Sequence, residues 1–377
     1  MAGIYVHIPF CSQACHYCDF HFSVNRAQAD AMVKAIAEEA HIRKEYLAHE
    51  PIKTLYFGGG TPSILTNEQL LTIVEAIQQQ FTLETNAEIT LEANPEDISV
   101  SRLKFWKGLG INRLSIGIQS FQPAMLKWMN RVHDALDAEK SVLLAQDAGF
   151  DNITIDLMYG MPNLSELDWQ ANIQKAIDLQ VPHVSAYQLT IEPKTVFGRQ
   201  HAKGLLQPTS DEHTEKQFDM LVDNLAVAGI VQYEISNFAK AGFHSRHNSN
   251  YWEGVPYLGL GPSAHSFKGF QRDINPSSNG EYLQKMERRI WPGITEILSS
   301  TERANEMLLT GLRTVKGANT DQIFEQTGVS IGQQEKMDEF IQSGWMHTQE
   351  TAGQLRLTKA GLKLADRITL ELWLDQD

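Results

Sequence analysis

At 377 residues and 42% hydrophobic content, the chain can bury a large core and exceeds the usual size of one domain unless most of it is an α/β barrel. Its 32 basic and 46 acidic residues leave a formal charge of −14, which repels phosphate backbones and anionic lipid, and no basic patch is visible along the sequence. No apolar run reaches membrane-spanning length, and the N-terminus lacks a basic region followed by an apolar one, so a cytoplasmic location is expected.

The first predicted strand, 4–8, runs directly into all three cysteines of the chain, Cys11, Cys15 and Cys18, spaced C-x3-C-x2-C. Three thiolates on one short loop can hold three irons of a cubic iron–sulfur cluster and leave the fourth iron open to a small molecule. The same thiolates with His16 or His21 would make a four-coordinate zinc site, although zinc loops usually split their ligands into two separated pairs. Covalent haem attachment needs two residues between its cysteines, and Ser12, Gln13 and Ala14 make three. An odd cysteine count without a signal peptide disfavours disulfides.

Beyond the cysteines, short β-branched and aromatic runs at 52–57, 88–92, 113–118, 153–157 and 184–189 alternate with amphipathic stretches at 28–47, 68–79, 100–107, 136–148 and 166–179. That is the pattern of parallel βα units, and it predicts an α/β fold: a partial (β/α)6 barrel whose active groups sit on loops at the carboxyl ends of the strands. Gly58, Gly59, Gly60, Thr61 and Pro62 follow the second strand, where glycines let main chain approach a ligand; the ending required of a P-loop is missing. Glu92, Gln119 and Asp156 lie at the ends of the third, fourth and fifth strands, and Arg131 follows the fourth unit. A carboxylate there accepts an amine or ribose hydroxyls and an arginine pairs with a carboxylate, or these groups simply pair with one another.

The second half is less regular. A helix is expected at 212–228, then a folded loop region over 233–268. Residues 303–313, 321–326, 333–343 and 359–372 read as helices, with a short strand at 354–357, which suggests a mostly helical, winged-helix-like C-terminal module. The expected division is 1–295 for the barrel and 296–377 for the module. As a nucleic-acid reader the module would need a basic recognition helix, and 333–343 is acidic on balance.

Taken together, the C-x3-C-x2-C loop after Tyr-Val-His-Ile-Pro-Phe, the Gly-Gly-Gly-Thr-Pro turn, Leu-Glu-Ala-Asn-Pro, Ser-Ile-Gly-Ile-Gln-Ser-Phe and Ile-Asp-Leu-Met-Tyr-Gly-Met-Pro resemble the radical S-adenosylmethionine (SAM) superfamily. More narrowly they resemble the oxygen-independent coproporphyrinogen III oxidase family. The resemblance implies a [4Fe-4S] cluster on Cys11, Cys15 and Cys18 with SAM on its open iron, contacted by Tyr5, Tyr17, Gly59, Gly60, Thr61 and Glu92. It aligns Gln119, Arg131, Asp156 and Thr190 with a second SAM site of the oxidase. Two departures point elsewhere in that family: Phe20 stands where the oxidase loop has a fourth cysteine, and only four residues precede Tyr5, where the oxidase has a long arm. Both are similar to the HemW-like haem chaperone subfamily, as is the hexapeptide His247-Asn248-Ser249-Asn250-Tyr251-Trp252. The resemblance implies haem binding there, with His247 as an iron ligand, Tyr251 and Trp252 against the porphyrin, and His265 as a further neighbour. Read without it, the hexapeptide is an ordered loop around a buried aromatic pair. The implied partners are haem, an acceptor haemoprotein and an electron-donor protein. No nucleic acid is expected, and membrane contact only through the acceptor. No catalytic residue is assigned, and the alternative activity is that of the porphyrinogen oxidase.

Overall fold

The computed structural model describes residues 2–348 and 353–375. Its first part repeats strand and helix: β1 (Ala2–Ile8), α1 (Ala29–Ile42), β2 (Ile52–Gly59), α2 (Asn67–Gln80), β3 (Leu83–Ala93), α3 (Val100–Gly108), β4 (Arg113–Gln119), α4 (Pro123–Trp128), α5 (Ala135–Asp147), β5 (Asn152–Tyr159), α6 (Glu166–Asp178) and β6 (His183–Gln188). Then come α7 (Val196–Ala202), α8 (Asp211–Val227), β7 (Val231–Glu234), β8 (Asn237–Ala239), α9 (Arg246–Trp252), β9 (Tyr257–Leu260), β10 (His265–Lys268), β11 (Gln271–Ile274), α10 (Asn279–Glu287) and β12 (Ile294–Ile297). The C-terminal part holds α11 (Ser300–Leu312), β13 (Ala318–Asn319), α12 (Thr320–Thr327), α13 (Gln334–Gln342), β14 (Gln354–Leu355), α14 (Lys359–Leu362) and α15 (Ala365–Glu371).

One twelve-stranded sheet runs in the order β12-β11-β10-β9-β1-β2-β3-β4-β5-β6-β8-β7. The six expected strands are parallel neighbours, as the α/β reading anticipates, and β9 joins them parallel to β1. The sheet is open, with β12 and β7 as its edges. The strands of its parallel part alternate. Ile4, Val6 and Ile8, Leu55 and Phe57, Leu114, Ile116 and Ile118, and Ile153, Ile155 and Leu157 are buried in the core. The opposite register carries Tyr5 and His7, Thr54 and Tyr56, Glu88, Thr90 and Glu92, Arg113 and Ser115, Thr154 and Asp156, His183 and Ser185. A closed eight-stranded barrel fills its interior with branched apolar side chains; here that face is polar and lines a concave surface.

The region 233–268, expected to be irregular, is built from β7, β8, α9, β9 and β10. Elements of three to seven residues are too short to show a period, which is why the sequence reads as loop. The helix expected at 359–372 is two helices. Thr358 caps the first, and a Cβ on Gly361 would stand 1.9 Å from the Trp345 carbonyl oxygen, so this turn packs closely on the segment that follows α13. The chain then restarts as α15, which buries Ala365 and Ile368. A second apolar cluster, with Leu308, Leu312, Ile323, Met337, Phe340, Leu355 and Ile368, sits among α11, α12, α13 and the β13–β14 pair. It begins at Ala304, beyond β12, and β12 itself spans residues 295 and 296.

A buried polar knot fastens the β9–β11 extension to α1. Glu39, 0% exposed, accepts hydrogen bonds from Gly261 N–H (2.7 Å), Asn275 Nδ2 (2.7 Å) and the Tyr282 hydroxyl (2.6 Å). One turn on, Arg43 pairs with Asp273 and donates to Ser266 Oγ. Burial pushes the Glu39 carboxyl up despite these donors. Truncation strands three donors in a dry site, so Glu39→Ala should cost about 3–5 kcal/mol in urea unfolding, with Glu39→Gln costing less.

Candidate metal and cofactor site

The cysteine loop leaves β1 at the carboxyl end of the parallel strands and is held chiefly by main chain. Cys11 N–H donates to the Ser23 carbonyl (3.1 Å) and Ser23 N–H to that of Pro9 (2.9 Å), closing the loop on itself. Gly60 N–H reaches the Ile8 carbonyl at 2.8 Å and Thr61 N–H that of Phe10 at 2.7 Å, tying it to the end of β2. The glycines matter for this approach. A Cβ on Gly60 would lie 2.6 Å from Phe10 O and 2.8 Å from Ile8 O, and Gly59 has φ +102° with His7 where a side chain would go. On the far side, His16 N–H donates to the Met129 carbonyl, the His16 carbonyl accepts from Phe197 N–H at 3.0 Å, and Asn130 Nδ2 bonds Ala14 O at 2.8 Å.

The three thiols are free and half-buried. Thr61 Oγ1 donates to Cys11 Sγ at 3.4 Å, and an Arg131 guanidinium nitrogen lies 3.3 Å from Cys15 Sγ. Burial pushes the Cys11 thiol up to about 12 and that of Cys18 to about 11. A metal must displace those protons, and a soft three-sulfur donor set backed by a hydroxyl and a guanidinium suits an iron–sulfur cluster. The histidines of the zinc alternative are engaged elsewhere. His16 Nδ1 bonds the Trp128 carbonyl at 3.0 Å and His21 Nε2 bonds Asn279 Oδ1 at 2.7 Å.

Around the loop the expected SAM positions gather, Thr190 excepted. Glu92 accepts the Tyr56 hydroxyl at 2.7 Å. Burial pushes its carboxyl up to about 7; the Tyr56 bond and Gly59 N–H oppose the rise and Asp156 adds to it. Asp156 is pushed up to about 6 by burial, against Arg113, Ser115 and Ser185. Arg131 donates to Asn94 Oδ1 (2.7 Å) and the Gly117 carbonyl (2.8 Å), and Tyr17 lies against it. Gln119, at φ +67°, turns its amide toward the same spot: a Cβ on Gly117 would meet Gln119 Nε2, Asn94 and Arg131 within 3.5 Å. Tyr5 donates to His7 Nδ1 at 3.2 Å and His7 Nε2 to the His21 carbonyl at 2.9 Å, which links β1 to the end of the loop. Thr190 stands exposed on the rim beyond β6, and His265, also exposed, begins β10 beside Gly259. Sequence reasoning missed Tyr56, Asn94 and Arg113. Tyr56 and Arg113 fall in the polar register of β2 and β4, where alternation was the signal available, and Asn94 directly follows β3.

The hexapeptide forms α9, which closes the amino end of the concave face. Glu88 of β3 accepts the Arg246 and His247 amides at 3.1 and 3.0 Å. His247, 1% exposed, has Nδ1 2.8 Å from Thr54 Oγ1 and Nε2 2.9 Å from the Tyr251 hydroxyl, and stacks on Tyr56 with ring centroids 5.0 Å apart. Burial, with Arg113 nearby, pushes it down to about 3, so it is neutral. Tyr251 and Trp252 line a cavity of about 690 Å³ with Tyr257, Phe267, Arg272 and Arg303. Trp252 Nε1 is buried without a hydrogen-bond partner.

Two measurements follow. Gly60→Ala forces the loop off β2 and should lower iron bound after anaerobic reconstitution by at least half, while costing about 1–3 kcal/mol. Glu92 in the folded chain holds its proton up to about 7, whereas an unfolded glutamate releases it near 4.3. The folded form therefore binds more protons across that window, and stability falls as pH rises through it. Glu92→Gln should flatten this slope and stabilise the cofactor-free chain at pH 8 by about 1–3 kcal/mol, read by urea unfolding from pH 5 to 8.

Residues 5–176 match the family model of the radical SAM superfamily. Heme chaperone HemW of Bacillus subtilis (strain 168) is 34% identical over 373 residues, covering 98% of each chain. The Escherichia coli (strain K12) protein of that description is 32% identical over 377 residues, 99% of this chain and 98% of its own. Among solved structures, coproporphyrinogen III oxidase (HemN) from Escherichia coli superposes with a TM-score of 0.84 over 99% of this chain and 90% of its own, at 22% identity. A fold shared at that identity speaks for architecture alone, whereas the full-length likeness to the chaperones is one of sequence: the chain belongs to the radical SAM superfamily and, within it, to the HemW family.

Proposed function

We propose that the protein is a haem chaperone of the radical SAM type, working in the cytoplasm: it binds haem and a SAM-ligated [4Fe-4S] cluster and passes haem to an acceptor haemoprotein. The observation that carries this reading is the end-to-end similarity to HemW proteins, 98% of both chains for the Bacillus subtilis relative. Cys11, Cys15 and Cys18 would hold the cluster, which supplies one-electron reduction of a sulfonium when bound. The remaining work is the chain's. Tyr5, Tyr17, Gly59, Gly60, Thr61 and Glu92 surround the open side of the loop. Ionised Glu92 accepts hydrogen bonds from an amine or ribose hydroxyls, and its pKa near 7 makes that acceptor strength rise with pH. Arg131, backed by Asn94 and Gly117, offers a carboxylate its remaining donors, and with Gln119, Asp156 and Thr190 it outlines the position of a second SAM.

For haem, the aromatic wall of Tyr251, Trp252, Tyr257 and Phe267 offers a planar apolar surface. Ligation of its iron by His247 requires that Nε2 leave the Tyr251 hydroxyl, so haem loading would be coupled to a shift of α9. His265, exposed on the rim, needs no such rearrangement. Residues 296–377 act in this reading as a separate module whose own core supports α11 against that wall.

The reading is tested by anaerobic reconstitution, iron and sulfide analysis, haem titration, and incubation of reduced protein with SAM and coproporphyrinogen III. About four irons and four sulfides per chain are expected, lost in Cys18→Ala. Haem should bind with a defined Soret band, weakened at least tenfold in His247→Ala, and no protoporphyrinogen should form. Sustained protoporphyrinogen production, or no haem binding, overturns the proposal; an unchanged Soret band in both His247→Ala and His265→Ala removes the histidine ligands.

A further inference from the structure

Two stretches of this acidic chain, 98–133 and 193–210, contain no Asp or Glu at all. They are far apart in sequence, and each sends a short helix, α4 and α7, to the same place. Trp128 at the end of α4 stacks on Phe197 of α7 with centroids 4.1 Å apart, and both grip His16: the Trp128 carbonyl at its Nδ1, the Phe197 amide at its carbonyl. His16 is covalently joined to Cys15. On the outside of this clamp, Lys127, Lys194, Arg199 and Lys203 are exposed, with no ion-pair partner among the described residues. Leu205, 76% exposed, follows α7, and Phe20, 74% exposed, stands on the cysteine loop itself.

We propose that this α4–α7 face is the docking surface for an acidic one-electron-donor protein of the flavodoxin or ferredoxin class. The inference rests on the reading that the three thiols hold a redox cluster, and it adds where the electron enters. Exposed cations flanking the Trp128–Phe197 stack, on a protein of charge −14, select an acidic partner against a repulsive background. The face is also tied to a cysteine through His16. From the surface of α7 the path is the Phe197 N–H···O=C bond of 3.0 Å, His16, then Cys15. In the step itself an anionic flavin hydroquinone gives one electron and becomes the neutral semiquinone, and the cluster goes from [4Fe-4S]2+ to [4Fe-4S]1+; no proton or group moves between the proteins.

The test uses full-length protein with and without cluster, and a flavodoxin as probe. The variant Lys194→Glu/Arg199→Glu/Lys203→Glu is compared with Lys34→Glu/Lys104→Glu/Lys140→Glu, which alters net charge equally on exposed sites of α1, α3 and α5. Flavodoxin binding to cluster-free protein, read by calorimetry, should weaken at least tenfold in the first variant and less than twofold in the second. Cluster reduction by flavodoxin hydroquinone should slow in parallel, and the salt dependence seen with the unaltered protein should flatten. Reduction by dithionite and haem titration should be unchanged, which separates failure of docking from failure of the cluster or of the haem reading. Equal binding by unaltered protein and the α7 variant, or equal loss in both variants, overturns the proposal.

Discussion

Two main-chain hydrogen bonds, from Gly60 to the Ile8 carbonyl and from Thr61 to that of Phe10, set the direction in which the chain leaves β1 and hence where three thiols point. They exist because β2 ends in residues without side chains. A methyl group at Gly60 would meet two carbonyl oxygens inside van der Waals contact, and the positive φ of Gly59 would strain any other residue. The glycine run thus admits the protein's own backbone: Ile8 and Phe10 approach Gly60, and His7 lies against Gly59. Thr61 adds a hydroxyl to Cys11 from the same turn, so one short segment positions the loop and touches its sulfur.

Below that loop the concave face gathers charge in a way a packed barrel could not. Arg113, 1% exposed, bonds Thr154 while its Nε has no partner, and no carboxylate lies within ion-pair distance among the described residues. Its positive charge acts at longer range. It opposes the rise in the Glu92 and Asp156 pKa values and helps keep His247 and His183 neutral. A buried, unpaired guanidinium is costly, and here it sits among the polar side chains of the concave face. α9 closes the other end through Glu88 and His247.

Much of this was legible beforehand, for physical reasons. Long βα repeats announce themselves through two clean periods, and cysteines at fixed spacing on one loop are constrained by the chemistry of their ligand. The short elements between β7 and β10 were not legible, because three or four residues cannot display alternation, and β9 takes its place in the parallel sheet only through its pairing with β1. The break between α14 and α15 has no proline; it comes from the contact of Gly361 with Trp345. The hexapeptide read as a haem motif closes the amino end of the concave face, a role visible only once Glu88, Thr54 and Tyr56 are beside it.

The repeat pattern was enough to anticipate the parallel architecture, and the resemblance of short motifs the superfamily, since each depends on residues close together in the chain. Partnership among distant segments was decided by the folded chain alone. Composition shows an acidic protein without a basic patch, yet folding brings Lys127 of one acid-free stretch next to Lys194, Arg199 and Lys203 of another, against the loop that carries Cys15. Charge along a sequence averages over neighbours in the chain, whereas a partner meets neighbours in space, and only the stacking of Trp128 on Phe197 makes the two differ.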